Sequence, residues 1–218
     1  MRIAAPPGVF RPRDDTLILA RRLRDGSSED RHVLDLCTGS GALAVAAALG
    51  GAAAVTAVDL SRRAVLATRL NARLNRVSVR ALRSDLFTAL GDQRFDLIAS
   101  NPPYLPSPDA ELPKRGARRA WEGGHDGRAL IDRILAEAPR RLLPGGSLLM
   151  VHSSVCGTER TVDGLTSGGL EAEVVERHRG PLGPLLAARV PQLERLGLVE
   201  PGLNEEEMVV VRASMPAG

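Results

Sequence analysis

Lysine is almost missing from this chain: Lys114 is the only one among 218 residues, so nearly all of the positive charge is arginine. Together with abundant Ala, Gly and Pro, that is a bias a GC-rich coding sequence can produce. The arginines are scattered among acids, and a net charge of +3 with a pI near 9.5 is weak ground for a nucleic-acid partner. Cysteine is scarce too. Cys37 and Cys156 make no metal-ligand spacing with each other or with the four histidines, so no metal site is expected, and a disulfide is not expected either. No apolar run reaches the ~20 residues needed to cross a bilayer. Met1 to Phe10 has no apolar core of a secretory signal, so no membrane association and a cytoplasmic location are expected. Internal repeats and low-complexity linkers are lacking. With 44% hydrophobic and 25% charged residues, the sequence predicts one folded domain over 1–218 with a substantial core.

What is present is an alternation of short apolar runs with longer helical patterns, the mark of a parallel sheet with crossover helices. Strands are expected at His32 to Leu36, Ala54 to Val58, Val77 to Leu82, Phe95 to Ser100 and Gly146 to His152, with two final strands at Glu173 to His178 and Met208 to Arg212. Helices are expected over Ala42 to Leu49, from the cap Ser61 to about Asn75, over Gly127 to Leu143 with a kink or break at Pro139, and near Thr158 to Thr166. Residues 105–127 begin with a stretch too rich in Pro, Gly and charge to be regular and read as a substrate loop. A long insertion, 180–206, carries one short helix, Leu185 to Leu196.

The first strand runs into Asp35-Leu36-Cys37-Thr38-Gly39-Ser40-Gly41, a glycine turn over which a ligand can approach the backbone. Asp59, ending the second strand, can accept hydrogen bonds from both hydroxyls of a ribose. That logic serves NAD and S-adenosylmethionine alike, and the Gly39-Ser40-Gly41-Ala42-Leu43-Ala44 match to G-x-G-x-x-A is by itself weak. Asp35 is placed to take a methionine ammonium, directly or through water. Asp85, after the third strand, is placed to accept from an adenine amino group. Each could instead be a solvated loop acid; the ordered set favours the sulfonium cofactor.

The fourth strand ends in Asn101-Pro102-Pro103-Tyr104. In open α/β sheets the crevice beyond the carboxyl ends of the strands is where ligands bind. A planar amide or aromatic amine is a poor nucleophile because its lone pair is delocalised. The Asn101 side-chain oxygen and a backbone carbonyl, that of Pro102, can accept its two hydrogens and turn the lone pair toward a methyl group. Consecutive prolines hold the carbonyls stiffly, and Tyr104 offers a flat face to the substrate plane. The gain would come from alignment and preorganised dipoles rather than from a strong base.

With those motifs in order, the chain resembles the class I S-adenosylmethionine-dependent methyltransferases, and among them the HemK-like protein glutamine methyltransferases. Val9 to Thr16 is similar to that family's segment ahead of the fold, with its Pro and its Asp-Thr pair beside the cofactor. Trp121-Glu122-Gly123-Gly124-His125-Asp126-Gly127 is similar to its Gly-Gly-x-Asp-Gly element. The resemblance implies a Rossmann-like seven-stranded α/β sheet, mostly parallel with the last strand antiparallel, and helices on both faces. It implies S-adenosyl-L-methionine held by Thr16, Asp35, Thr38, Gly39, Gly41, Asp59, Leu60, Asp85, Leu86 and Asn101, under an N-terminal segment, 1–31, acting as a cofactor lid. It implies catalysis at Asn101, Pro102, Pro103 and Tyr104 on the glutamine of the Gly-Gly-Gln loop of a peptide release factor. About thirty residues precede the first strand, as in the short branch of the family, whose members work with a small zinc-binding activator protein.

Other readings stay open. The same tetrapeptide occurs in methyltransferases of nucleic-acid amino groups or metabolites, and a non-catalytic module could keep the cofactor fold. His125 is expected to be a plain loop residue, His152 a packed histidine, Trp121 an anchor of the loop in an apolar slot, and Arg118-Arg119 solvated.

Overall fold

The computed structural model describes residues 1–109, 111–114 and 116–217, so Ala110, Arg115 and Gly218, parts of the substrate loop and the domain expected above, lie outside the described residues. Seven strands form one sheet: β1 (His32–Leu36), β2 (Ala54–Asp59), β3 (Arg80–Arg83), β4 (Phe95–Ser100), β5 (Leu142–Ser153), β6 (Glu171–Pro181) and β7 (Glu205–Ser214). Their order is β3-β2-β1-β4-β5-β7-β6. The first five are parallel, and β7 runs antiparallel to both of its neighbours.

The helices are α1 (Asp14–Arg22), α2 (Ala42–Leu49), α3 (Arg62–Leu74), α4 (Ala129–Arg141), α5 (Thr158–Ser167), α6 (Pro184–Ala187) and α7 (Val190–Arg195). Strand alternation divides the core between the two faces of the sheet. Leu34, Leu36, Ile98, Leu148 and Met150 pack with Ile131 and Ile134 of α4 and Leu165 of α5. Val33, Val55, Leu97, Leu149 and Val151 pack with Ile18 and Leu19 of α1 and Leu43 of α2. A third apolar cluster lies away from the sheet and joins Leu105 to Leu186 and Leu193 of α6 and α7. None of the described helices is long and apolar enough to cross a membrane.

Several boundaries differ from expectation. β3 starts at Arg80 rather than Val77. Pro139 does not end α4, which continues to Arg141; the lost N–H and the crowding of the Leu135 carbonyl are offset by the buried Leu135 and Ala138, which keep that turn on the core. β5 begins already at Leu142, pairs with Phe95, and resumes pairing at Ser147 after an irregularity where Gly145 has φ +73. β6 and β7 run far beyond Glu173 to His178 and Met208 to Arg212, because cross-strand pairs such as Arg177–Glu207 and Arg179–Glu205 carry the ladder through charged sequence that lacks apolar alternation. The insertion 180–206 therefore begins and ends in strand, and it holds two helices instead of one.

Candidate active site

Strand order reverses between β1 and β4, whose carboxyl ends lie side by side: Leu36 pairs with Val58 on one side and Ser100 on the other. The connections after β1 and β4 leave the sheet at this point and open a crevice between them. A cleft of roughly 1180 Å³ occupies it. That exceeds the ~300–1,000 Å³ of typical small-ligand sites and leaves room for a second reactant.

The β1–α2 turn shapes one end. Cys37, Gly39 and Gly41 have φ of +58, +55 and +82, so the chain reverses tightly over the sheet edge. A Cβ on Gly41 would lie 2.8 Å from Thr68 Cγ2, so only glycine lets the turn pack on α3. Asp59 ties the turn to the next strand, its Oδ2 accepting from Gly39 N (3.0 Å) and its Oδ1 from Ser61 N (2.8 Å). Burial raises the Asp59 carboxyl above its usual range, and these backbone donors offset part of that.

Asp35 is fully buried behind the turn. Its Oδ2 accepts from the Thr38 hydroxyl (2.5 Å) and from Ala44 N (2.9 Å), whereas Oδ1 has no partner. Burial raises its pKa to about 7, against the lowering effect of those two donors. A carboxylate oxygen buried without a donor is uncommon; an ammonium group or a bridging water would complete it.

At the other end, the residue after β4 meets the start of α1. Asn101 Nδ2 donates to Asp15 Oδ2 (3.0 Å) and to Thr16 Oγ1 (2.9 Å). The proton inventory fixes this amide. The Asp15 carboxylate offers lone pairs only, and the Thr16 hydroxyl gives its hydrogen to Asp15 Oδ1 (3.1 Å), so the Asn101 nitrogen must face both. Its oxygen is left at the cleft wall. The Tyr104 hydroxyl donates to Asp15 Oδ2 as well (2.8 Å), and burial beside that carboxylate pushes its pKa well up, so it is a neutral phenol. The backbone of the tetrapeptide is clamped from behind. A Cβ on Gly127 would lie 2.2 Å from the Tyr104 carbonyl oxygen, and one on Gly123 2.7 Å from that of Pro103, which accounts for glycine at both positions. Arg128, 1% exposed, secures Gly127: its Nη1 donates to the carbonyls of Cys156 (2.6 Å) and Gly157 (3.0 Å), and its Nη2 to Asp132 Oδ1 (2.7 Å). The Pro102 carbonyl accepts no hydrogen bond among the described residues.

Of the residues singled out in the sequence, Gly39, Asp59, Leu60, Asp85, Leu86 and Asn101 to Tyr104 line the cleft together. Thr16, Asp35, Thr38 and Gly41 stand behind its wall. Asp85 is ion-paired with Arg133 (2.9 Å), which occupies one of its carboxylate oxygens. Asp15 entered the sequence reading only as the first member of the Asp-Thr pair beside the cofactor; its bonds to Asn101 and Tyr104, 86 and 89 residues along the chain, were not foreseen. Phe10 and Arg13 of the N-terminal segment, Arg119 of the loop and Glu206 of β7 also line the cleft unforeseen. His125 is exposed. His152 is buried, donates from Nδ1 to the Ser153 carbonyl (2.9 Å), and has its pKa lowered to about 4 by burial: a packed neutral histidine.

Known proteins resemble this chain in sequence and fold. Residues 1–112 match the methyltransferase small domain family. The chain is 33% identical over 85% of its length to a Methanocaldococcus jannaschii protein assigned as a protein N5-glutamine methyltransferase, spanning 93% of it. It is 45% identical over 68% of its length to the release factor glutamine methyltransferase of Bordetella pertussis, of which it spans 58%. Its fold matches a solved two-protein complex from E. cuniculi, responsible for methylation of the eRF1 translation termination factor, with TM-score 0.64 at 20% identity, covering 95% of this chain and 99% of that one. The chain belongs to the methyltransferase small domain family and is a class I S-adenosylmethionine-dependent methyltransferase.

Proposed function

We propose that this enzyme methylates the side-chain amide nitrogen of a glutamine, and that its substrate is the Gly-Gly-Gln loop of a peptide release factor. The observation that carries the reading is the fixed amide of Asn101. With Nδ2 committed to Asp15 and Thr16, its Oδ1 presents only lone pairs to the cleft, beside the free Pro102 carbonyl. Two rigid acceptors suit the two hydrogens of a primary amide. Held by both, the amide plane is fixed and its nitrogen lone pair is turned toward the cofactor end of the cleft. Tyr104, a neutral phenol bonded to Asp15, braces Asn101 and is no base.

S-adenosylmethionine, when bound, supplies an electrophilic methyl group on a sulfonium that leaves readily. The residues present fit it. The unpartnered Asp35 Oδ1 suits the methionine ammonium, Asp59 the ribose hydroxyls, and the Gly39–Gly41 turn lets the backbone come close. Leu60 and Leu86 would flank the adenine and the second oxygen of Asp85 would accept from its amino group, while Phe10 packs on the turn at Gly39 from the N-terminal segment.

The names of the two relatives support glutamine as the acceptor. An activator partner is supported by α3. Leu66, Leu70 and Leu74 are 62%, 44% and 47% exposed at helical spacing. From Arg62 to Arg83 the sequence has seven arginines and no acid. That surface fits an acidic protein with an apolar ridge better than a nucleic acid, which would leave the leucines uncovered. A cytoplasmic location goes with such a substrate.

The test is transfer of labelled methyl to release factors of the host, with wild type and Asn101→Ala. The wild type is expected to label the Gly-Gly-Gln glutamine. Asn101→Ala is expected to bind the cofactor within about twofold of wild type and to lose most turnover, since one oriented hydrogen-bond partner in a transition state contributes roughly 10²–10³ in kcat. Label on nucleic acid or a metabolite alone would overturn the substrate; equal loss of cofactor binding and turnover would overturn the role of Asn101.

A further inference from the structure

Between its two strand ends, the insertion 180–206 packs on the substrate loop. Leu186 and Leu193 pack with Leu105, Trp121 and Leu198 in one apolar cluster. Arg189 then reaches across it, donating from Nη1 to the Pro106 carbonyl (3.1 Å) and from Nη2 to Glu122 Oε1 (2.6 Å). Arg118 lies 3.7 Å from the same Glu122 oxygen. The Glu122 side chain is wholly buried, a placement a carboxylate tolerates only when compensated. Yet Glu122 Oε2 has no partner, and neither has the buried indole Nε1 of Trp121. Buried tryptophan N–H groups and carboxylate oxygens are nearly always satisfied. Both residues line the cleft, as do Leu185 and Leu186 of the insertion. They adjoin the tetrapeptide directly, since Leu105 N donates to the Trp121 carbonyl (2.7 Å) and Gly123 N to that of Leu105 (3.0 Å). One unused donor and one unused acceptor on adjacent residues are the complement of a backbone carbonyl and a backbone N–H.

We propose that Trp121 Nε1 and Glu122 Oε2 form a subsite for the backbone of the acceptor polypeptide next to its target side chain, with Arg189 of the insertion as the positioning residue that holds Glu122. This rests on a protein acceptor, as proposed above. A polypeptide read through its backbone against a leucine-lined wall is one with small side chains beside the target. The insertion thereby takes part in acceptor recognition, a role its sequence does not announce.

Trp121 is the only tryptophan in the chain, so its emission reports on the subsite directly and without turnover. The probe is a synthetic peptide carrying the Gly-Gly-Gln segment of the host release factor, titrated in the presence of S-adenosylhomocysteine. A saturable change in emission is expected with the peptide and none with adenosine at equal concentration. Glu122→Gln and Arg189→Met are each expected to raise the peptide Kd about tenfold or more while leaving cofactor Kd within about twofold, and Arg189→Lys to recover part of the loss. As a check that leaves the protein untouched, peptides with N-methylglycine in place of each glycine in turn remove one N–H at a time. One of them is expected to bind the wild type about tenfold more weakly and to discriminate less in Glu122→Gln. If the wild type labels the release factor but emission, variants and N-methylglycine peptides show no such effects, the subsite is refuted and the glutamine reading stands. If adenosine moves the emission as the peptide does, or the release factor is neither labelled nor bound, both are refuted.

Discussion

Asp35 makes the sharpest prediction, because one substitution separates a cost to the free protein from a benefit to the complex. Its carboxyl is fully buried, with two donors on Oδ2 and none on Oδ1, and burial raises its pKa from 3.8 to about 7. A carboxyl whose folded-state pKa lies above its unfolded value favours the fold most when protonated. Its contribution is complete below about pH 3.8 and is lost as the pH rises to about 7, after which it is flat. A gap of about three units, at ~1.36 kcal/mol each, is at most about 4 kcal/mol. At roughly 2–4 °C per kcal/mol for a protein of this size, the wild type without cofactor loses on the order of ten degrees of Tm at most by ionising Asp35.

Asp35→Asn keeps an oxygen for Thr38 and Ala44 and removes the titration. Thermal melts of both proteins from pH 5 to 8.5 without cofactor are expected to give a wild-type-minus-variant difference that falls as pH rises, with the variant at least as stable at pH 8.5. Taking the difference cancels the other titrating groups. Saturating cofactor is expected to reverse the order at pH 8.5, since an ammonium near Oδ1 compensates the carboxylate, and cofactor Kd should weaken by a factor of ten or more, the size of a charge-assisted hydrogen bond. A difference that does not change with pH would refute the burial argument. A variant that binds the cofactor as tightly as the wild type would refute the ammonium assignment.

Asp15→Ala releases Asn101 from one of its two acceptors and Tyr104 from its own; single-turnover rates are expected to fall by about 10–100-fold, on the scale of a hydrogen bond to a charged group, with cofactor Kd within about threefold. Unchanged single-turnover rates would mean that the Asn101 amide needs no such orientation. Gly41→Ala combines φ +82 with a Cβ 2.8 Å from Thr68, and denaturant unfolding is expected to show a loss of about 1–3 kcal/mol; a loss under 0.5 kcal/mol would show that α3 yields easily. Arg128→Met leaves the carbonyls of Cys156 and Gly157 and the Thr161 hydroxyl without their shared donor; a loss of about 1–3 kcal/mol is expected in the same assay, and a neutral result would show that the clamp behind Gly127 is dispensable.

The cofactor half of the site could be read from sequence because it is local. Apart from Thr16 in α1, its residues sit at or just after the end of a strand, and the turn at Gly39 to Gly41 follows β1 directly, so order along the chain is order along the sheet edge. Where local pattern failed, other contacts had taken over. β6 and β7 continue through charged residues paired across the ladder, and Pro139 is tolerated because the buried Leu135 and Ala138 hold the last turn of α4 on the core. Asp85 reads as a free acid until Arg133 of α4 is folded against it.

The acceptor half was illegible for a physical reason. Its meaning lies in pairs that no periodicity links: Asp15 with Asn101 across 86 residues, and Arg189 with Glu122 across 67. Each pair follows one logic. A group beside the cleft is bonded on one side by a distant segment and keeps one polar atom without a partner: Oδ1 of Asn101 and the buried Oε2 of Glu122. Orienting such groups in advance removes reorganisation from the moment of reaction. Its cost is borne by stability, as unsatisfied polar atoms inside the fold. The N-terminal segment and the insertion, the two parts least readable in the sequence, supply the fixed ends of those pairs. Variation at Asp15 or Arg189 should therefore alter acceptor choice and turnover before it alters cofactor affinity, which is set at the far end of the cleft by β1, β2 and Phe10 against the glycine turn.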